Sequence, residues 1–402
     1  MQQVLKILKQ TFWQILGKIV TSVSTFIILG IIARNYGEGG VGIYTLALTY
    51  LAMFYLLSDF GFNAHVLRRV QGLGLRVQDE FRKLLGTRIL WAMALMGISI
   101  SILPLLPIGG DLFKELIIFG SPIIFGSAIF VSTNLIFQSR LRYDLSVAAT
   151  SAGTILNLCL VAFFVNAHLP LLYLIFAQVL NWILVVAVTL ILSRRFTNSV
   201  LPIFDINFSK KLIKSSWPIA ATLGLNVVYF RADSFMVAYF KGVSDAGIYN
   251  IAYSVFQSAL VLPTFIMNAY YPMMLKSFKG IKLVGLGLFL LASLGTILTL
   301  ILAPLITQVL TGGGFRGSSQ SLQILSLGFP AYFLSALLMW VLVAKGKYKT
   351  LLVIYALGLL FNLVLNLSFI PQYSFYGAAV ITVISEYLIL LLLLLYFNRK
   401  EV

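Results

Sequence analysis

The sequence predicts an all-α, polytopic membrane protein of about twelve transmembrane helices. Three observations predict it. Of the 402 residues, 60% are hydrophobic and only 10% charged, against roughly 45–50% and about 25% in soluble domains. Mean hydropathy is +0.98. Charge-free runs of membrane length recur along the whole chain, and the basic residues gather in short groups between them. That spacing sets aside a nucleic-acid reading of the net charge of +17.

A spanning helix needs about 20 mostly apolar residues to cross roughly 30 Å of hydrocarbon. The first is expected over 11–33, after the basic Lys6 and Lys9. No small-residue cleavage site follows it, so it reads as a retained helix and not a signal peptide. The second is expected over 41–60. The charge-free runs Ile89 to Gly110 and Leu116 to Ser139 place the third and fourth at 86–106 and 116–138. Leu145 to Ser193 is long enough for two, 146–166 and 171–193, with His168-Leu169-Pro170 as the turn. The seventh, 215–240, carries Arg231 and Asp233. The eighth to tenth are 247–274, 283–308 and 321–344. Thr350 to Ser385 needs two again, 350–370 and 376–397, broken at Pro371-Gln372-Tyr373-Ser374.

Basic residues are enriched in cytoplasmic loops of membrane proteins. With both termini cytoplasmic, the inside segments hold 24 of the 29 Lys and Arg residues. They include Arg68, Arg69, Arg76, Arg82 and Lys83 after the second helix, and Arg194, Arg195, Lys210, Lys211 and Lys214 after the sixth. Outside loops hold only Arg34, Lys114, Lys241 and Arg316. An odd number of helices would destroy this alternation.

Gly37 and Gly42-Ile43-Tyr44 follow the first helix; Gly242 and Gly247-Ile248-Tyr249 follow the seventh, each 205 residues later. Ala33 and Ala238 correspond in the same way. The repeat predicts two six-helix bundles, 1–200 and 201–402, joined by the basic stretch Arg194–Lys214. Six helices is an even number, so the bundles would share an orientation, related by a pseudo-two-fold axis along the membrane normal. Two such bundles facing one another would enclose a cleft suited to alternating access.

Several motifs then carry a family resemblance. Ala33-Arg34-Asn35-Tyr36-Gly37, Gly42-Ile43-Tyr44 and Ser58-Asp59-Phe60-Gly61-Phe62-Asn63 resemble the opening of bacterial polysaccharide flippases of the multidrug/oligosaccharidyl-lipid/polysaccharide exporter superfamily. Tyr229-Phe230-Arg231-Ala232-Asp233 through Gly247-Ile248-Tyr249 is similar to that family's seventh helix. Leu322-Gln323-Ile324-Leu325, Ala344-Lys345-Gly346-Lys347, Asn362 to Pro371 and Tyr376 to Glu386 are similar to its later helices. The resemblance implies flipping of an undecaprenyl-pyrophosphate-linked oligosaccharide from the cytoplasmic to the outer leaflet of the cell inner membrane. Such flippases serve O-antigen, capsule or exopolysaccharide assembly. The partners implied are the lipid-linked oligosaccharide, membrane lipids, and a polysaccharide polymerase with chain-length proteins. No enzymatic activity is expected.

Moving a pyrophosphate across hydrocarbon calls for Arg or Lys. Arg231, Asp233, Lys18 and Arg34 are the candidates for the cargo pathway. A charge at bilayer depth is costly and ordinarily faces a cavity or a partner. Arg231 and Asp233 are two residues apart, about 200° around a helix, so they cannot both meet one partner. Either Arg231 attracts the phosphates with Asp233 in support, or Arg231 snorkels and Asp233 pairs structurally. Lys18 lines a passage or snorkels to the inner interface. Glu386, Asp233 and Asp59 are the candidates for coupling to a proton or sodium gradient. Glu386 lies mid-helix among apolar neighbours, where the plain alternative is a hydrogen-bonded structural group. Arg34 and Asp59 end their helices and are expected to fix loop geometry more than touch cargo; Arg88, opening the third helix, reads as an interfacial anchor. Asn362 and Asn366 share a face by their spacing of four. Asn157, Asn181, Asn226, Asn250, Gln257 and Asn268 are further amides within spans. Pro218, Pro263, Pro304 and Pro330 are expected to kink helices.

The single cysteine, Cys159, excludes an intrachain disulfide. The two histidines, His65 and His168, lie far apart, and no metal site or bound cofactor is expected. Gly312-Gly313-Gly314 lacks the Lys-Ser/Thr ending of a phosphate-binding loop. Two other functions compete. An ion-coupled multidrug and toxin exporter of the same superfamily would have more acids within its spans. A membrane-embedded polysaccharide polymerase or ligase would need a longer outer loop with an acid or histidine.

Overall fold

Helix is the only regular structure among the residues that the computed structural model describes: 2–63, 65–67 and 77–399. Arg68, Arg69, Arg76 and Lys400 lie outside the described residues, as do the side chains of Pro218, Asn226 and Asn268. The long helices are α1 (Gln2–Leu57), α2 (Val77–Ile102), α3 (Gly110–Gly120), α4 (Pro122–Ser139), α5 (Tyr143–Asn166), α6 (Tyr173–Ser193) and α7 (Ile206–Lys241). They continue as α8 (Val243–Ala259), α9 (Val261–Lys276), α10 (Ile281–Thr311), α11 (Ser318–Ser326), α12 (Phe329–Ala344) and α13 (Tyr348–Arg399).

Among the described residues, eight helical stretches are long and apolar enough to cross a membrane, or nine with α11 and α12, which meet at 45° as one bent pair. Two of these are far too long for one crossing. At 1.5 Å per residue, α1 and α13 would each reach roughly 80 Å, against about 30 Å of hydrocarbon. Each breaks in mid-length. In α1 the break is Gly37 (φ 65, ψ −167), a conformation essentially restricted to glycine. In α13 it is Ser374 (φ 51, ψ −137), whereas Pro371 stays within the helix. The hydroxyl of Ser374 bonds the Asp245 carboxylate. Divided there, the candidate spans become eleven. The twelfth is α7, less apolar because three lysines precede its expected span and Arg231 and Asp233 interrupt it. The expected turn at 168–170 separates α5 from α6, with His168 at φ 54. The expected eighth helix is instead two, α8 and α9, and the fourth is α3 followed by α4.

The chain forms two compact units. Unit 1 comprises Met1–Ile31 and Tyr44–Val228; unit 2 comprises Ile32–Ile43 and Tyr229–Val402. The junction expected at 200/201 lies within unit 1. The chain passes to unit 2 inside α7, and the stretch around the Gly37 break also belongs to unit 2. In unit 1, α5 lies against α6 and α2 against α4. The α5–α6 approach depends on Gly153: a Cβ there would stand 2.3 Å from Asn181 Oδ1 and 2.5 Å from Val185. Phe62, Phe81, Leu84, Leu85, Leu135 and Leu212 form a buried apolar cluster at one end of this unit. In unit 2, α10 packs on α11 and α12, and α11 on α8 and α13.

Gly37, Gly42 and Ile43 of the first copy lie in unit 2 with the whole of the second copy; Tyr44 belongs to unit 1. Gly242 (φ 93, ψ 172) holds the same glycine-restricted conformation as Gly37. The two Gly-Ile-Tyr copies touch backbone to backbone. A Cβ on Gly42 would fall 1.8 Å from the Val243 carbonyl oxygen, and one on Gly247 2.2 Å from the Glu38 carbonyl oxygen. Glu38 and Val243 are themselves 205 residues apart, so each copy receives the same contact from the other.

Candidate functional site

Tyr229 and Asp233 are four residues apart on α7 and share a face. That face meets both limbs of α13. Asp233, only 3% exposed, accepts three hydrogen bonds. Thr382 Oγ1 and Tyr249 OH donate to Oδ2 at 2.7 and 3.1 Å, and Asn366 Nδ2 donates to Oδ1 at 3.2 Å. The network continues through amides and hydroxyls. Asn366 Nδ2 also donates to Asn362 Oδ1 at 2.9 Å, and Asn362 Nδ2 to Ser385 Oγ at 3.2 Å. Asn366 and Asn362 come from the first limb of α13; Thr382 and Ser385 come from the second, beyond the Ser374 break. One turn along α7, Tyr229 OH donates to Glu386 Oε1 at 2.7 Å. Glu386 is 4% exposed. Ser234 adds a bond to Asn250 Oδ1 at 2.6 Å. Among the described residues neither acid has a cationic partner. Both are held by neutral donors, and the Oδ1 of Asn366 is buried without a partner.

Arg231 points elsewhere. Two residues from Asp233, it lies on another face of α7 and is half-buried. It makes no hydrogen bond and no ion pair among the described residues. Lys241 closes α7 ten residues later. At 1.5 Å per residue that puts Arg231 about 15 Å from the end of the span, near mid-bilayer depth.

The remaining candidates are placed differently. Arg34 donates from Nη2 to the Val309 carbonyl at 2.5 Å and packs on Gly312 (φ 76). It thereby caps the last turn of α10, where a cation also complements the helix dipole. Lys18 lies on an exposed face of α1 in unit 1. Asp59 belongs to unit 1 and is bound to Arg88 at 2.6 Å. Arg88 is not the interfacial anchor expected. Helix α2 begins at Val77, nine residues before the expected start, so Arg88 falls in mid-helix and is fully buried. Its guanidinium makes five hydrogen bonds: to the carbonyls of Ser58 and Asp59, to Asp59 Oδ1, to Asn63 Oδ1 and to Ser132 Oγ. Four of them wrap the turn that carries Phe60 (φ 48) and Gly61 (φ 72), and the fifth ties it to α4. The site therefore brings together Asp233 and Glu386; Arg34 caps α10, and Asp59 and Lys18 belong to unit 1. Tyr229, Tyr249 and Thr382 were missed. Tyr229 and Thr382 are marked only by the spacing of four that links them to Asp233 and Glu386, and Tyr249 only by its place in the Gly-Ile-Tyr repeat.

A family model described as polysaccharide biosynthesis protein matches residues 7–278. A "Putative O-antigen transporter" of Shigella dysenteriae is 23% identical over 288 residues, covering 69% of this chain and 71% of that protein. Among solved structures, the lipid II flippase MurJ in an inward closed conformation superposes with a TM-score of 0.78 at 16% identity, covering 97% of this chain and 87% of its own. An inward-facing multidrug resistance MATE family transporter of the MOP superfamily gives 0.72 at 11% identity, covering 94% of both chains. These two likenesses establish the fold alone.

Proposed function

We propose, for a chain that belongs to the polysaccharide biosynthesis protein family, that it flips undecaprenyl-pyrophosphate-linked oligosaccharide repeat units across the cell inner membrane by alternating access. The chain is a multi-pass membrane transporter and not an enzyme. The cargo, its direction and the cytoplasmic placement of both termini are the proposal. The observation that carries it is the contrast on α7. Asp233 is fully engaged by neutral donors, whereas Arg231, at mid-bilayer depth, is half-buried and makes no hydrogen bond or ion pair among the described residues. A guanidinium kept free at that depth is suited to bidentate contact with a pyrophosphate. Asp233 and Glu386 are the proposed coupling groups, exchanging protons or sodium from the gradient as the cargo moves.

The test is transport of a fluorescent undecaprenyl-pyrophosphate saccharide in proteoliposomes, read by an impermeant quencher. A hydrogen bond to a charged group is worth about 1.5–3 kcal/mol, so Arg231→Ala should slow flipping by about ten- to a hundredfold. Arg231→Lys should keep part of the rate. Wild-type flipping by Arg231→Ala would remove the phosphate role. Export of an organic cation in place of the lipid-linked saccharide would move the protein to the multidrug branch.

A further inference from the structure

We propose that the connector between α6 and α7 is an interfacial element that binds anionic phospholipid headgroups at the cytoplasmic face. The inference does not depend on the cargo or on Arg231. It begins with length. Helix α7 has 36 residues, about 54 Å, and so outruns a hydrocarbon core of roughly 30 Å. Its first turns must lie at or beyond the membrane boundary.

Those turns are two-faced. Phe208 and Leu212 are buried in the apolar cluster of unit 1 with Phe81, Leu84 and Leu135. On the opposite side Ile206, Lys210, Lys214 and Trp217, spaced by four, four and three residues, form one exposed stripe. The stretch before the helix is equally fixed. Arg82 Nε donates to the Leu201 carbonyl at 2.9 Å, and Ile203 N–H donates to the Arg82 carbonyl at 2.9 Å. Gly86 makes room for this strand of chain, because a Cβ there would stand 2.2 Å from the Ile203 carbonyl oxygen. Pinned in this way, Leu201 and Phe204 are held outward at 66% and 56% exposure, beside Ile206 at 64%.

Charge supplies the second half of the match. Arg194, Arg195, Lys210, Lys211 and Lys214 are exposed in the same stretch. Its one acid, Asp205, is committed to the Phe208 N–H and to Lys83. Apolar side chains held outward at a membrane boundary and flanked by cations fit a headgroup layer. The chains enter the acyl boundary and the cations meet lipid phosphates. A soluble polyanion would use the cations and leave Leu201, Phe204 and Ile206 in water.

The experiment uses the full chain in nanodiscs. Phe204→Cys, in a Cys159→Ser background, is labelled with an environment-sensitive fluorophore, and Leu201→Cys serves as a second position. In discs containing phosphatidylglycerol, brominated acyl chains should quench both probes and aqueous iodide should not. Discs of phosphatidylcholine alone should weaken that shielding. Native mass spectrometry should show the Lys210→Gln, Lys211→Gln, Lys214→Gln variant losing retained phosphatidylglycerol, by about fivefold per lysine if each contributes about 1 kcal/mol. Probes quenched by iodide and indifferent to brominated lipid would overturn the proposal. So would undiminished phosphatidylglycerol retention by the triple variant, or shielding that arises only when a soluble protein fraction is added.

Discussion

Arg88 in unit 1 and Asp233 in unit 2 are both buried charges on apolar helices, and they are accommodated by opposite means. Arg88 has a countercharge, Asp59, and its remaining bonds go to a single tight turn and to Ser132 of α4. Asp233 has no countercharge among the described residues. Its oxygens take bonds from two hydroxyls and an amide that come from three separate stretches of helix. A closed ion pair can do little but hold a shape. An acid held by rotatable neutral donors can exchange a proton or a cation while its surroundings adjust. The difference teaches where to look for ion coupling: in unit 2, with the Asp59–Arg88 pair as scaffold.

The comparison breaks most readily at Arg88. Removing one partner of a buried pair costs about 3–5 kcal/mol. Arg88→Ala should therefore lower the unfolding midpoint in detergent strongly, whereas Arg88→Met with Asp59→Leu should recover part of the loss. A single variant as stable as wild type would mean that the pair is not structural. A smaller effect on stability, with a larger one on coupling, is expected at Asp233. Asp233→Asn keeps its volume and its hydroxyl neighbours can reverse their bonds, so stability should fall by less than about 1.5 kcal/mol. Flipping by Asp233→Asn, and by Glu386→Gln, should cease to respond to imposed proton or sodium gradients. Unaltered gradient dependence in both would return these acids to a structural role.

The smallest effect sharpens the comparison from outside the membrane. Asp205 caps the start of α7, and the Phe208 N–H, aided by Lys83, holds its carboxyl below the usual range. A depressed acid contributes its stability above the unfolded pKa and loses it as pH falls through the folded value. Hydrogen exchange over residues 206–214 should thus quicken in acid, below the ordinary aspartate range, and Asp205→Asn should remove that dependence. No pH response in the wild type would show that the cap is idle.

Much of the fold was legible because a membrane imposes one rule on every span. Charge-free runs located most of the helices; length showed that two runs needed a break, and the turn residues His168-Leu169-Pro170 and Pro371-Gln372-Tyr373-Ser374 placed it. The Arg88 network was not. Helix α2 starts inside a charged stretch, so a boundary drawn at the first apolar residue puts Arg88 at the end instead of the middle. At the candidate site Asp233 and Glu386 stood out as acids among apolar residues, and Asn362 and Asn366 by their spacing. Tyr249 is marked only by the repeat and Thr382 only by its spacing from Glu386, and neither mark points to a hydroxyl that meets a carboxylate. Neutral hydroxyls are cheap to place anywhere in a helix, and only the folding of α13 at Ser374 brings Thr382 to the same carboxylate as Asn366. The membership of 32–43 in unit 2 was equally hidden, since it rests on contacts more than 200 residues apart in sequence.

The glycine joint constrains both copies at once. Glu38 meets Gly247 and Val243 meets Gly42, so position i of one copy faces position j of the other and the converse holds. That reciprocity is the signature of an interface between identical subunits. Within one polypeptide, a side chain added at either glycine would run into a backbone carbonyl of the other copy, so neither position can be exchanged without moving its counterpart.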